Sequence, residues 1–295
     1  MVTGRSAVPL KVFVGYDGSL VASASLEAAG LLFPEAQGLI AHVWAPPFAS
    51  DRLRHRLRAD ARTLDQLMEM VEREGGRESM RIAEMGATLA RATGWEVEAL
   101  LERTWGPEGV AIAQAAGRAQ ADVVLLGSRG LGGTKALLGS VSDMVVHYSE
   151  RPVVVVPHPL LTSEIDVLSS GPIVVGWDGS PGSQKAFSAA INLLPRRDVV
   201  LVSVDEGSGT PPMAAGEAPG RNVRHLNTQP SLAFHNRGLA DALIGSANTV
   251  DAAAVVVGSR GRSAAREILL GSVAMGTLHH CNRPVMVVPS KSEPA

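Results

Sequence analysis

Apolar and polar positions follow two rhythms along this chain. Short runs of mostly β-branched residues recur, among them Val12-Phe13-Val14, Leu39-Ile40-Ala41, Val123-Val124-Leu125-Leu126 and Val153-Val154-Val155-Val156. Such continuous runs read as strands buried on both faces. They place strands at 11–15, 38–43, 95–101, 122–127 and 152–156, with helices near 20–32, 52–92, 107–119 and 140–149 between them. Strand-helix alternation of this kind predicts crossover units and a parallel sheet. The second helix carries Leu57, Ala61, Leu64, Met68 and Val71 at helical spacing, and Gly75-Gly76 is expected to break it before a stretch with Ile82, Met85 and Leu89. Met80 and Met85 read as gap-filling core.

The pattern then repeats. Val14-Gly15-Tyr16-Asp17-Gly18-Ser19 returns as Val175-Gly176-Trp177-Asp178-Gly179-Ser180, and the second strand returns at Val200 to Val204. Gly127-Ser128-Arg129-Gly130 returns as Gly258-Ser259-Arg260-Gly261, Leu138-Gly139-Ser140-Val141 as Leu270-Gly271-Ser272-Val273, and Arg151-Pro152-Val153 as Arg283-Pro284-Val285. The chain is built twice, as units of ordinary domain size. The domains read as 1–160 and 172–295, with a linker at 161–171 inside a polar stretch that begins near His158. The second copy is shorter. Asp17 to Gly127 spans 110 positions and Asp178 to Gly258 only 80. The long helix is what is missing, and Glu206 to Gly220, rich in Gly, Pro and Ala, reads as a mobile loop in its place. Strand three of this copy is weakly marked and is placed at Ser231 to Phe234, with a helix near 239–250.

Composition narrows the class. A hydrophobic share of 45% and a charged share of 19% fit a chain with a sizeable core. A net charge of −2 gives no electrostatic reason to bind nucleic acid or an anionic membrane. No apolar run approaches the ~20 residues that span a bilayer. Lys11 and Asp17 interrupt the N-terminal apolar stretch, so it does not read as a secretion signal. The single cysteine, Cys281, suits a reducing compartment, and the expected location is cytoplasmic.

The chemistry lies in the loops. An apolar strand opening into a glycine loop, then a Gly-Ser at a helix start, is how a parallel sheet holds phosphate. Backbone N–H groups come close, and the helix N-terminus adds partial positive charge. Turn chemistry is the competing explanation. Gly127 and Gly258 serve equally as tight strand-to-loop turns, Asp17 and Asp178 as caps of the following helices, and Ser140 with Asp143 as a capping box that Met275 denies the second copy.

These motifs, in order and twice, resemble the universal stress proteins, in particular tandem-domain members of the ATP-binding branch. The resemblance covers nearly the whole chain. It implies two tandem open five-stranded parallel sheets with flanking helices, Rossmann-like in the manner of the adenine nucleotide alpha-hydrolases, the second copy being truncated. It also implies ATP, or AMP or ADP, as ligand. Asp17 and Asp178 then meet the ribose, Val43 and Val204 the adenine, and Gly15 and Gly176 open the turns that carry the carboxylates. Gly127, Gly130, Gly139 and Ser140 fall on the phosphate side, as do Gly258, Gly261, Gly271 and Ser272. Mg²⁺ is a further candidate, held indirectly through Asp17 and Asp178. The first copy departs from the family spacing, with eight residues between Gly130 and Gly139 where the second has nine between Gly261 and Gly271.

The resemblance implies a stress-response or signalling role without robust turnover. No Lys follows the glycine loop as in Gly-x4-Gly-Lys-Ser sites, and no base is evident beside the expected phosphates. A scaffold of the same fold that binds no nucleotide, and a slow ATPase, are the alternatives. The closing strands 152–156 and 284–288 would each be an apolar edge if left alone. They are expected to pair, making a pseudo-dimer within the chain, and pairs of chains are expected to form a homodimer. The His279-His280-Cys281 run reads as structural, because adjacent helical side chains diverge. His147 and His279 are expected to satisfy local backbone groups, and Arg52 to Arg58 to form a solvated helix face.

Overall fold

In the computed structural model, residues 9–45, 51–128, 138–204, 218–230, 238–261 and 270–290 are described. The first half runs β1 (Lys11–Gly15), α1 (Leu20–Leu32), β2 (Gln37–Trp44), α2 (Asp51–Asp60), α3 (Leu64–Ala92), β3 (Glu96–Arg103), α4 (Glu108–Arg118), β4 (Val123–Gly127), α5 (Ser140–Tyr148) and β5 (Val153–Val156). A short α6 (Thr162–Asp166) and a 3-10 turn (Val167–Ser169) follow, so the linker stretch is largely helical. The second half runs β6 (Ile173–Gly176), α7 (Pro181–Leu193), β7 (Val199–Val204), β8 (Val223–Thr228), α8 (Gly238–Thr249), β9 (Ala254–Gly258), α9 (Ser272–His280) and β10 (Val285–Val288).

The two expected sheets are one. The described strands form a single sheet in the order β3-β2-β1-β4-β5-β10-β9-β6-β7-β8. Neighbours are parallel within each half, and β5 meets β10 antiparallel, with Met286 opposite Val154. Side chains of these two strands alternate between the faces. Val154, Val156, Met286 and Val288 join the core on one side, and Val153, Val155, Val285 and Val287 the core on the other. Each core is continuous across the junction, as the expected pairing of the two closing strands requires. Arg197 adds a second tie by donating from Nη2 to Leu31 O of α1 (3.1 Å) and from Nη1 to Leu168 O beneath it.

Three helix and strand expectations need correction. Gly75-Gly76 does not break α3, which runs unbroken for 29 residues. Gly75 is buried, and a Cβ on Gly76 or Gly86 would lie 3.6 Å from Trp44 or 2.7 Å from Tyr16, so glycines let this helix lie close to the sheet. The break falls earlier, where Thr63 caps α3 by accepting from Gln66 N. Met80 and Met85 are not core but 38% and 47% exposed. Strand three of the second half is β8, paired parallel with β7 from Val223↔Val199 to Thr228↔Val204. It thus occupies the stretch just after the expected loop, most of which lies outside the described residues, as does Ser231 to Phe234. Arg54, His55, Arg56 and Arg58 are exposed on α2, as a solvated face requires.

Candidate functional site

In each half the chain leaves the first strand in one direction to build β2 and β3 (or β7 and β8). It then returns to the first strand's other side as β4 (or β9). Open α/β sheets bind ligands at the carboxyl ends of the strands flanking such a reversal. Asp17 follows β1 and Gly127 ends β4, while Asp178 follows β6 and Gly258 ends β9, so the motifs sit at both reversals.

The Asp-Gly-Ser turns share one construction. Asp17 Oδ1 accepts from Ser19 N at 3.0 Å, and Asp178 Oδ1 from Ser180 N at 3.0 Å. Gly18 and Gly179 stand at φ +80° and +76°, where a side chain is strained. Ser19 and Ser180 then cap α1 and α7 by accepting from Ala22 N and Ser183 N. The second strand braces the turn from behind. His42 Nδ1 donates to Tyr16 O (2.8 Å), and Ser203 Oγ to Trp177 O (3.0 Å). Sequence reasoning passed over this pair, whose signal was one polar residue just before Val43 and Val204 in otherwise apolar strands. Val43 and Val204 themselves are half-buried at the ends of β2 and β7.

The glycine loops are pinned at both ends. Ser128 N and Ser259 N donate to Val156 O and Val288 O, and Gly139 N and Gly271 N fold back onto Ser128 O and Ser259 O at 2.7 and 2.8 Å. The stretches between, 129–137 and 262–269, lie outside the described residues, and Gly130 with them. Gly139 and Gly271, in extended conformation, are the N-cap residues of α5 and α9 and supply no side-chain cap. Ser140 and Ser272 are therefore first helical residues, and the Ser140–Asp143 capping box does not form. Each nine-residue helix thus presents its positive end toward the loop.

Other glycines answer to packing. A Cβ on Gly15 would lie 2.5 Å from Leu126, and one on Gly176 would lie 3.3 Å from Leu243. One on Gly127 would meet Val21 at 2.8 Å, and one on Gly258 would meet Gly182 O at 2.6 Å. Gly261 differs. It is exposed, and its missing Cβ would stand 2.9 Å from Asp178 Oδ2. A Cβ on Gly271 would lie 3.9 Å from Gly261 N, so carboxylate, loop glycine and helix start converge in the second half. In the first half, Ile82 and Met85 of α3 stand over the Asp17 turn, 3.4 and 3.6 Å from a Cβ on Gly18. Gly182, within 2.0 Å of Arg260 O by the same measure, was also missed, and its signal was a glycine in the first turn of a helix.

The histidines on α5 and α9 make local contacts. His147 Nδ1 donates to Asp143 O at 2.8 Å, a local backbone bond, whereas His279 Nε2 lies 3.0 Å from Met275 Sδ. Among the described residues no group of three His, Cys, Asp or Glu could hold a metal ion. Cys281 is buried, and burial pushes its thiol up to about 11. No described helix is long and apolar enough to cross a membrane.

The family model of the universal stress proteins matches residues 10–157 and 170–289, one match to each half. The chain belongs to the universal stress protein family. A universal stress protein of Mycolicibacterium smegmatis is 34% identical over 186 residues, 57% of this chain and 62% of that one. One from Mycobacterium tuberculosis is 32% identical over 187 residues, again 62% of its length, so the chain spans less than two thirds of these curated relatives. A solved universal stress protein from Archaeoglobus fulgidus superposes with a TM-score of 0.62 at 20% identity, over 95% of this chain and 98% of that one. That likeness carries the fold, and the family match carries the membership.

Proposed function

We propose that this universal stress protein binds adenine nucleotide at the carboxyl ends of its strands, acting as a stress-response or signalling protein without robust turnover. The observation that supports this most is the convergence of Asp178, the exposed Gly261 and the uncapped start of α9 at the second reversal. A carboxylate suits sugar hydroxyls, and loop amides with a helix N-terminus suit phosphate. Val204, half-buried at the neighbouring strand end, offers an apolar contact for the base. Asp17, Val43, Gly139 and Ser140 hold the matching positions at the strand and helix ends of the first half. One carboxylate per turn is a poor metal cage, so Mg²⁺ arrives on the phosphates. A scaffold reading draws on Gly127 and Gly258, whose absent side chains α1 and α7 explain, but it gives no role to the exposed position of Gly261 beside Asp178.

The two sites are unequal. Ile82 and Met85 wall the first turn, whereas the second half has no counterpart to α3 among the described residues, so the first site is the tighter. The test is thermal unfolding of ligand-stripped protein with ATP, ADP or AMP. A ligand that binds only the folded state stabilises by about 2.7 kcal/mol at a hundred times Kd. The melting temperature should rise, and the rise should vanish when Asp17→Ala and Asp178→Ala are combined. No shift at millimolar nucleotide sinks the reading.

A further inference from the structure

A cleft lies across the junction of the two halves. The end of α5 contributes His147, Tyr148 and Glu150, and the second half contributes Ser259, Arg260 and Ser290. Neither Asp178 nor Gly261 lines it, so it adjoins the pocket proposed for nucleotide from the side of β5 and β10. We propose that this cleft binds a small phosphate-class oxyanion, held by Arg260 from one half and closed by His147 from the other.

The donors and acceptors fit that chemistry. The Arg260 guanidinium is half-buried and has no hydrogen-bond or ion-pair partner among the described residues, in a cleft whose floor includes the buried Val146. A planar guanidinium so placed is suited to bidentate binding of an oxyanion. Ser259 Oγ and Ser290 Oγ lie 2.9 Å apart, and Ser259 Oγ also accepts from Ser290 N at 2.9 Å. One hydroxyl hydrogen serves the pair, and the second is left to donate into the cleft. Lys185 Nζ, bonded to Ser290 O at 2.6 Å, places a second positive charge behind them. His147 commits Nδ1–H to its own helix, which leaves Nε2 of the neutral ring as an acceptor. Hydrogen phosphate offers three acceptor oxygens and one P–OH donor, matching all of these groups, whereas a carboxylate has no hydrogen for His147. Glu150 also lines the cleft and is exposed, so its charge is screened by solvent.

Equilibrium dialysis with radiolabelled inorganic phosphate tests this on the full chain. One saturable phosphate per chain is expected, weakened at least tenfold by Arg260→Gln, partly retained by Arg260→Lys, and weakened several-fold by His147→Phe. Saturating ATP, which would fill the phosphate positions beside Gly139, Ser140, Gly271 and Ser272, should leave it unchanged, so the outcome is independent of nucleotide binding. The proposal falls if the wild type takes up no phosphate saturably, or if Arg260→Gln binds as the wild type does. Displacement of the bound phosphate by ATP would move the anion into the nucleotide pocket and overturn it as well. Thermal unfolding of each variant checks that it is folded.

Discussion

Adding one methyl group at Gly261 separates a glycine kept for a ligand from a glycine kept for packing. The new Cβ stands 2.9 Å from Asp178 Oδ2, and ordinary contact begins near 3.4 Å, so the carboxylate must yield by about half an ångström. It can, because it is a side-chain end, though its Oδ1 then strains the 3.0 Å bond to Ser180 N. Gly261 is exposed and at no positive φ, so the reduced freedom of the unfolded chain, roughly 0.4–1 kcal/mol, offsets that strain. Net stability should change by less than about 1 kcal/mol. Binding should change far more. Displacing a charged acceptor from its partner costs about 1.5–3 kcal/mol, or roughly ten- to 150-fold in Kd for the phase that Asp178→Ala removes. Gly258→Ala should do the reverse. Its Cβ meets Gly182 O at 2.6 Å and Gly182 Cα at 3.0 Å, backbone that can move only with α7, so about 1–3 kcal/mol of stability is lost. Isothermal titration and thermal unfolding of both variants decide the matter. Unchanged affinity in Gly261→Ala would refute the placement of nucleotide beside Asp178.

Met286 is 1% exposed in the junction strand, so Met286→Ala should cost about 2–5 kcal/mol in denaturant unfolding, and an unchanged midpoint would discount the continuous core. Arg197→Ala leaves the carbonyls of Leu31 and Leu168 without their donor, so it should cost about 1–3 kcal/mol and speed proteolysis within 158–171. Equal cleavage rates would deny that tie a role in holding the linker. The Cys281 thiol is raised in the folded state, so folding favours its neutral form. That contribution is present below the unfolded pKa near 9 and is lost as pH rises toward about 11; Cys281→Ala should flatten the alkaline loss by up to ~2 kcal/mol, measured by unfolding at pH 8 and pH 10.5.

Much of the fold was legible because parallel strands buried on both faces are written as unbroken apolar runs. β1 and α1 fall on their expected bounds, and the other strands of the first half lie within two residues of theirs. What the pattern hid has physical causes. β8, Val223 to Thr228, is an edge strand with exposed Arg224, His225 and Asn227, so it carries no apolar run. Gly75-Gly76 reads as a breaker on propensity, about 1 kcal/mol per glycine, but α3 continues through the pair, with Gly75 buried and buried positions recurring from Val71 to Ala90. Met80 and Met85 were assigned to core by residue type, whereas the helix face on which they lie is open to solvent. At the site, the Asp-Gly-Ser turns were visible in full. Which glycines pack and which stay open was not, since that depends on helices distant in sequence, Val21 against Gly127 and Gly182 against Gly258.

The antiparallel join does more than cover two edges. A parallel pairing of β5 with β10 would have set the carboxyl ends of both halves side by side. The antiparallel pairing points them in opposite directions, Val285 opposite Val155 and Val287 opposite Val153. Each half's strand ends, with the loops they carry, therefore lie toward the other half's neighbouring helix. That is how the end of α5 comes to face Ser259 and Arg260. Once the halves are joined in one chain, each loop can change without its twin. In the first half Ser142 Oγ donates to Gly127 O at 2.8 Å and fastens α5 to the strand end, while Ala274 stands in the same place on α9 and has no such hydroxyl. Ser259 and Arg260, at the start of the second loop, line the cleft against the other half's helix, so an occupant of the junction cleft would touch them directly.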